Sequence, residues 1–119
     1  MRNKILIVEQ NQVKQDQLEE ILHPIVDQGG ELFFAKDKSV GLAIMHKEHP
    51  QLVFVDHALF GDNKDEWAMS GVRVVLMVQK KEKSMKNEDF ILKPFQKNQI
   101  QQICHSTLKK GSSPFAPPM

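Results

Sequence analysis

Apolar residues in this chain gather in short, nearly continuous runs separated by longer stretches of mixed polarity. The runs are Ile5-Leu6-Ile7-Val8, Leu32-Phe33-Phe34-Ala35, Leu52-Val53-Phe54-Val55, Val72 to Val78 and Phe90-Ile91-Leu92. Continuous apolarity of this length, rich in Val and Ile, marks strands buried on both faces of a parallel sheet. After the first run, Leu18, Ile21, Leu22, Ile25 and Val26 recur at helical spacing and predict an amphipathic helix. Pro24 lies inside that stripe, so the helix is expected to kink or end near His23. Gly29-Gly30 breaks the chain before the second run. Asp37 or Ser39 is placed to cap a second helix reaching about Lys47, with Val40, Ala43 and Ile44 turned inward, and His49-Pro50 ends it.

The later crossovers are leaner. Residues 57 to 71 leave room for only about two turns of helix, around Lys64 to Met69. The stretch KKEKSMKNE after Gln79 holds one apolar residue, Met85, and lacks the stripe an amphipathic helix needs. The third and fourth helices are therefore expected to be short. Ile100, Ile103, Cys104, Thr107 and Leu108 then share one face of a last helix. From Gly111 the chain reads GSSPFAPPM, and this Pro/Ser-rich tail is expected to be flexible. The division expected is one domain over 1–110 and a tail over 111–119.

Composition narrows the class without naming a function. The chain has 119 residues, 40% apolar and 26% charged, which suits one globular domain with its own core. A formal charge of +1 gives no global attraction to nucleic acid or to a membrane surface. No apolar run approaches the roughly 18 residues of a membrane span, and the four apolar residues before Glu9 are too few for a signal-peptide core. A single cysteine, Cys104, excludes an intrachain disulfide framework and fits a reducing compartment. A cytoplasmic domain is expected.

The chemistry gathers at the ends of the runs. In a parallel sheet the strand C-termini share one edge, where open α/β folds bind their ligands. Here those ends carry Glu9, Asp56, Gln79 and Lys93-Pro94. Taken alone, Asp56 reads first as a strand-end residue capping the next turn. His46 and His49 are spaced as a metal pair but lack a third ligand. Trp67 reads equally well as a partner anchor or as packing over a shortened helix. Cys104 reads as core filler, and the interleaved charges from Lys80 to Glu88 as a solvated segment.

These runs in this order, with KILIVEQ first, LVFVD in the centre and LKPF late, resemble the receiver domain of two-component response regulators. The resemblance covers roughly Lys4 to Leu108. It implies a three-layer, flavodoxin-like (CheY-like) α/β fold with a five-stranded parallel sheet in the order 2-1-3-4-5. It also implies that Asp56 is the phospho-acceptor, Lys93 the partner of its phosphoryl group or carboxylate, and Phe90 the switch-position aromatic. Mg²⁺ would be held by Glu9, Asp56 and the carbonyl of Ala58. The chain departs from the family pattern at two polar positions. Gln10 stands where a second acid is usual, which leaves at most a weak Mg²⁺ site. Gln79, followed by Lys80, stands where a hydroxyl is usual.

The departures point to a pseudo-receiver, a phosphorylation-independent protein-interaction module that is not an enzyme and requires no cofactor. Its expected partner surface is the fifth strand, the last helix and the 79–89 segment, with a homodimer there as one arrangement. The alternative is a phosphorylatable receiver served by a histidine kinase. A flavodoxin-like binder or small enzyme of another family lacks support, since there is no Gly-rich phosphate loop and no nucleophile–base pair.

Overall fold

The computed structural model describes residues 3–79 and 90–108, and the structural statements below concern those residues. Strands β1 (Lys4–Val8), β2 (Glu31–Ala35), β3 (Leu52–Asp56), β4 (Arg73–Val78) and β5 (Phe90–Leu92) form one sheet in the order β2-β1-β3-β4-β5. Every pairing is parallel. Helices α1 (Gln12–Asp27), α2 (Lys38–Glu48), α3 (His57–Phe60) and α4 (Lys97–Thr107) complete the layers, with a 3-10 turn at Lys64–Trp67. This is the flavodoxin-like order that the receiver resemblance implies. The tail over 111–119 and the stretch over 80–89 lie outside the described residues.

The two-residue period of each strand divides the core in two. Ile5, Ile7, Phe54, Val75, Met77 and Ile91 meet Leu18, Leu22 and Ile25 of α1 and Ile100 and Cys104 of α4. On the other face Leu6, Val8, Val53, Val55 and Val78 meet Met45 of α2 with Phe60 and Trp67. Both faces are covered, so the strands read as unbroken apolar runs. Burial pushes the Cys104 thiol up to about 12, which keeps it a neutral packing group.

Two expectations about the helices need correction. Helix α1 does not stop near His23 but runs through Pro24 to Asp27. Pro24 falls in the last turn, where only one backbone bond is lost, while Leu22 and Ile25 stay packed on the sheet. The Gln28 N–H donates to the carbonyls of Pro24 and Ile25, and Gly30 N–H to Ile25, closing the end. Val26, expected on the buried face, is 42% exposed. Gly30 itself is held tightly, since a Cβ there would lie 2.6 Å from Ile25 Cγ2 and 2.9 Å from the Asn3 carbonyl oxygen.

In α2 the buried face is Gly41 and Met45, whereas Val40 and Ala43 are exposed and Ile44 is half-buried. The helix turns its smallest residue to the sheet because the space is already taken. A Cβ on Gly41 would sit 2.8 Å from Val8 Cγ2 and 3.4 Å from the Trp67 ring. Asp37, not Ser39, is the N-cap, accepting from Val40 N–H at 2.8 Å.

Trp67, in the 3-10 turn after α3, is buried in the α2-side core. It is 1% exposed, stacks on Phe60 at 5.9 Å, and donates its indole N–H to the Phe60 carbonyl at 2.9 Å. Packing, not partner anchoring, is therefore its role. Trp67→Ala is expected to cost about 3–5 kcal/mol, the range for truncating a large buried aromatic. Urea unfolding followed by circular dichroism checks this, and a loss below about 1 kcal/mol would show that the ring is not a core element.

Candidate functional site at the strand ends

Strand register brings the candidate residues together. Val8 is aligned with Val55, so Glu9 and Asp56 leave adjacent strands side by side. Leu92 is aligned with Val78, and the following Lys93 donates its N–H to the Val78 carbonyl at 2.8 Å. The Lys93–Pro94 peptide is cis. The lysine side chain then spans β4 to reach both acids. Lys93 Nζ lies 2.6 Å from Glu9 Oε1 and 2.6 Å from Asp56 Oδ1.

The triad is largely dry. Side-chain exposure is 4% for Glu9, 6% for Lys93 and 20% for Asp56, so Asp56 is the one member that solvent reaches appreciably. Burial by itself would push the Lys93 ammonium down. The hydrogen bonds and charges of Asp56 and Glu9 outweigh it, and the net effect holds Lys93 above 10.5.

The outer carboxylate oxygens are also engaged. Glu9 Oε2 accepts from Asn11 N–H at 3.0 Å, and Asp56 Oδ2 accepts from Ala58 N–H at 3.2 Å. Asn11 is at the same time the N-cap of α1, with its side chain accepting from Lys14 N–H. Gln15, 5% exposed, donates through Nε2 to the Glu9 carbonyl at 2.7 Å and to the Ala35 carbonyl at 3.4 Å. Sequence reasoning named neither residue. The signal for Gln15 was its place three before Leu18 on the buried stripe, where a polar side chain needs internal partners.

Other candidates lie apart from these contacts. Gln10 and Gln79 are both exposed and take no part in the triad's hydrogen bonds. Phe90 is half-buried against the α2-side core. Ala58 supplies its amide to Asp56 from within the single turn of α3. His46 and His49 are exposed.

A Mg²⁺ ion would need the oxygens that these donors hold. It demands near-octahedral oxygen ligands at about 2.0–2.1 Å and favours anionic ones. Here each of the four carboxylate oxygens already accepts a hydrogen bond, and Gln10 adds no charge. Among the described residues no cluster of three or more His, Cys, Asp or Glu is arranged to hold a metal. Two carboxylates, Glu9 and Asp56, with the carbonyl of Ala58 are a donor set compatible with weak Mg²⁺ binding at most.

No family model matches the sequence, and no curated protein does either. Solved structures do match. The signal receiver domain of an HD domain-containing protein from Pseudomonas fluorescens superposes with a TM-score of 0.75 at 18% identity, over 90% of this chain and 94% of that one. The chain has the receiver-domain fold. A co-crystal of a Saccharomyces cerevisiae histidine phosphotransfer protein and the receiver domain of its downstream response regulator gives 0.70 at 18% identity, over 94% and 96%. The receiver domain of a sensor histidine kinase from Pseudomonas aeruginosa, with a magnesium ion coordinated in its active-site cleft, gives 0.71 at 18% identity, over 90% and 98%. The receiver fold therefore accounts for the sheet order and for the meeting of three strand ends. No helix among the described residues is long and apolar enough to cross a membrane.

Replacing Lys93 by Met keeps the stem and removes the charge that two buried carboxylates share. The expected loss at neutral pH is about 3–5 kcal/mol, the range for stranding a buried ionic partner. Because Lys93 is held above 10.5 in the folded state, its stabilising contribution is complete below that value. It fades as pH rises through the higher folded value. Chemical unfolding of both proteins from neutral to strongly alkaline pH checks this, and a constant difference throughout would contradict it.

Proposed function

We propose that this chain is a pseudo-receiver, a cytoplasmic signalling module that works by binding protein partners and does not depend on phosphorylation of Asp56. The observation that carries this reading is the double engagement of Lys93. Phosphoryl transfer relies on positive charge free to meet the developing phosphoryl charge. Lys93 is instead committed to Glu9 and Asp56 together, and among the described residues no hydroxyl or further acid joins their hydrogen bonds. Gln79 and Gln10 stand where a hydroxyl and a second acid are usual.

The partner surface is the side formed by β5, α4 and the 79–89 segment, of which 80–89 lies outside the described residues. Beside β4 and β5, Arg73, Phe90, Gln99, Gln102, Ile103 and Ser106 surround a depression of about 410 Å³. Arg73 is oriented there by hydrogen bonds to Ser106 Oγ at 2.9 Å and Thr107 Oγ1 at 2.8 Å. A second copy of the chain is one partner this side accommodates.

The second reading is an unusual phospho-acceptor served by a histidine kinase or phosphotransfer protein. It is favoured by the 20% exposure of Asp56, which leaves one carboxylate open at the sheet edge. Incubation with a small phosphodonor and Mg²⁺, followed by intact mass, separates the two. The expected spectrum is the unmodified mass. A stoichiometric phosphoryl adduct that Asp56→Asn abolishes would establish the second reading instead.

A further inference from the structure

The opposite side of the sheet carries an edge of a different kind. β2 pairs only with β1, and no strand lies beyond it among the described residues. Glu31 N–H donates to the Asn3 carbonyl and the Ala35 carbonyl accepts from Glu9 N–H, so residues 31, 33 and 35 turn their backbone inward. By the alternation of a parallel ladder, Leu32 and Phe34 turn their N–H and C=O groups outward. The strand reads ELFFA, with no Lys or Pro among the residues that face outward. Proteins usually blunt an open edge with such residues, so this one is chemically prepared to pair.

A groove lies beside the same two residues. Leu32 and Phe34, both half-buried, line a hollow of about 440 Å³ with Val26, which is 42% exposed. Its rim carries Glu19, His23 and Glu31. His23 is paired with Asp27 at 3.3 Å, and α1 presents Asp16, Glu19 and Glu20 against one lysine, Lys14. An apolar floor, a run of outward backbone groups and an acidic rim therefore coincide at one edge.

We propose that this edge is a docking site for an extended segment of a partner protein, adding as a sixth strand beside β2. Main-chain hydrogen bonds to Leu32 and Phe34 supply the pairing, and alternate apolar side chains of the segment enter the groove. At the groove-facing position beside Glu19 the rim selects for lysine or arginine. The site is separate from the β5–α4 surface, so one module can bridge two partners.

The test uses the full chain, labelled with ¹⁵N, and a capped heptapeptide, Thr-Val-Thr-Val-Thr-Lys-Thr, whose valines and lysine share one face, as the probe. Saturable amide shifts centred on Leu32 and Phe34, with slowed hydrogen exchange at those two amides, are expected. The same peptide with proline at its centre should lose the effect. Glu19→Lys, at an exposed position, should weaken binding about tenfold without altering the fold. Shifts spread along the acidic face of α1 without protection at Leu32 and Phe34 would overturn the proposal, as would no saturable binding. Concentration-dependent shifts at those amides without peptide would overturn it in favour of pairing with a second copy. None of these outcomes bears on whether Asp56 takes a phosphoryl group.

Discussion

Two carboxylates emerge side by side from the centre of the sheet, and something positive must stand between them. Left unpaired at this depth, they would repel each other and pay for lost hydration. Lys93 supplies the charge, reaching across β4 from β5 to hold both acids at 2.6 Å. That reach does structural work as well as electrostatic work. It ties the three-residue edge strand to the middle of the sheet, which its few ladder bonds alone would secure weakly. It also places the C-terminal edge of the sheet under an internal cation.

The strands were plainly legible in the sequence because both sheet faces are covered. Leu6 and Val8 face one cluster while Ile5 and Ile7 face the other, and the run has no polar interruption. The meeting of Glu9, Asp56 and Lys93 was legible for a related reason, since parallel strands deliver their C-terminal residues to one edge. What the pattern could not show was set by three-dimensional crowding. Val40 and Ala43 are apolar at helical spacing, yet Gly41 faces the sheet because Val8 and Trp67 leave no room for a side chain. Pro24 has a strong local preference against helix interiors, but in the final turn the packing of Leu22 and Ile25 prevails. Asn11 holds the Glu9 carboxylate through a backbone amide that no residue type advertises, while Gln15 showed only as a polar residue on the buried stripe.

The chain therefore keeps the fold of a receiver, and its polar edge is held by internal contacts. Asn11 and Ala58 amides hold the outer oxygens of the two acids, and Lys93 holds the inner ones. Gln10 and Gln79 are exposed beside this closed triad. Each of the four carboxylate oxygens at this edge accepts a hydrogen bond from within the chain. Two further surfaces flank it: the hollow by β5 and α4 on one side, and the open, acid-rimmed β2 edge on the other.

The most direct test of the closed triad is a Mg²⁺ titration of the wild-type chain followed by NMR at the backbone amides of Asn11 and Ala58. Those two N–H groups donate to the oxygens that a bound ion would draw away. The account predicts no saturating shift at either amide through the millimolar range. Saturating shifts of both amides at a common Mg²⁺ concentration would contradict it, because the ion would then have opened the contacts that Lys93 is held to close.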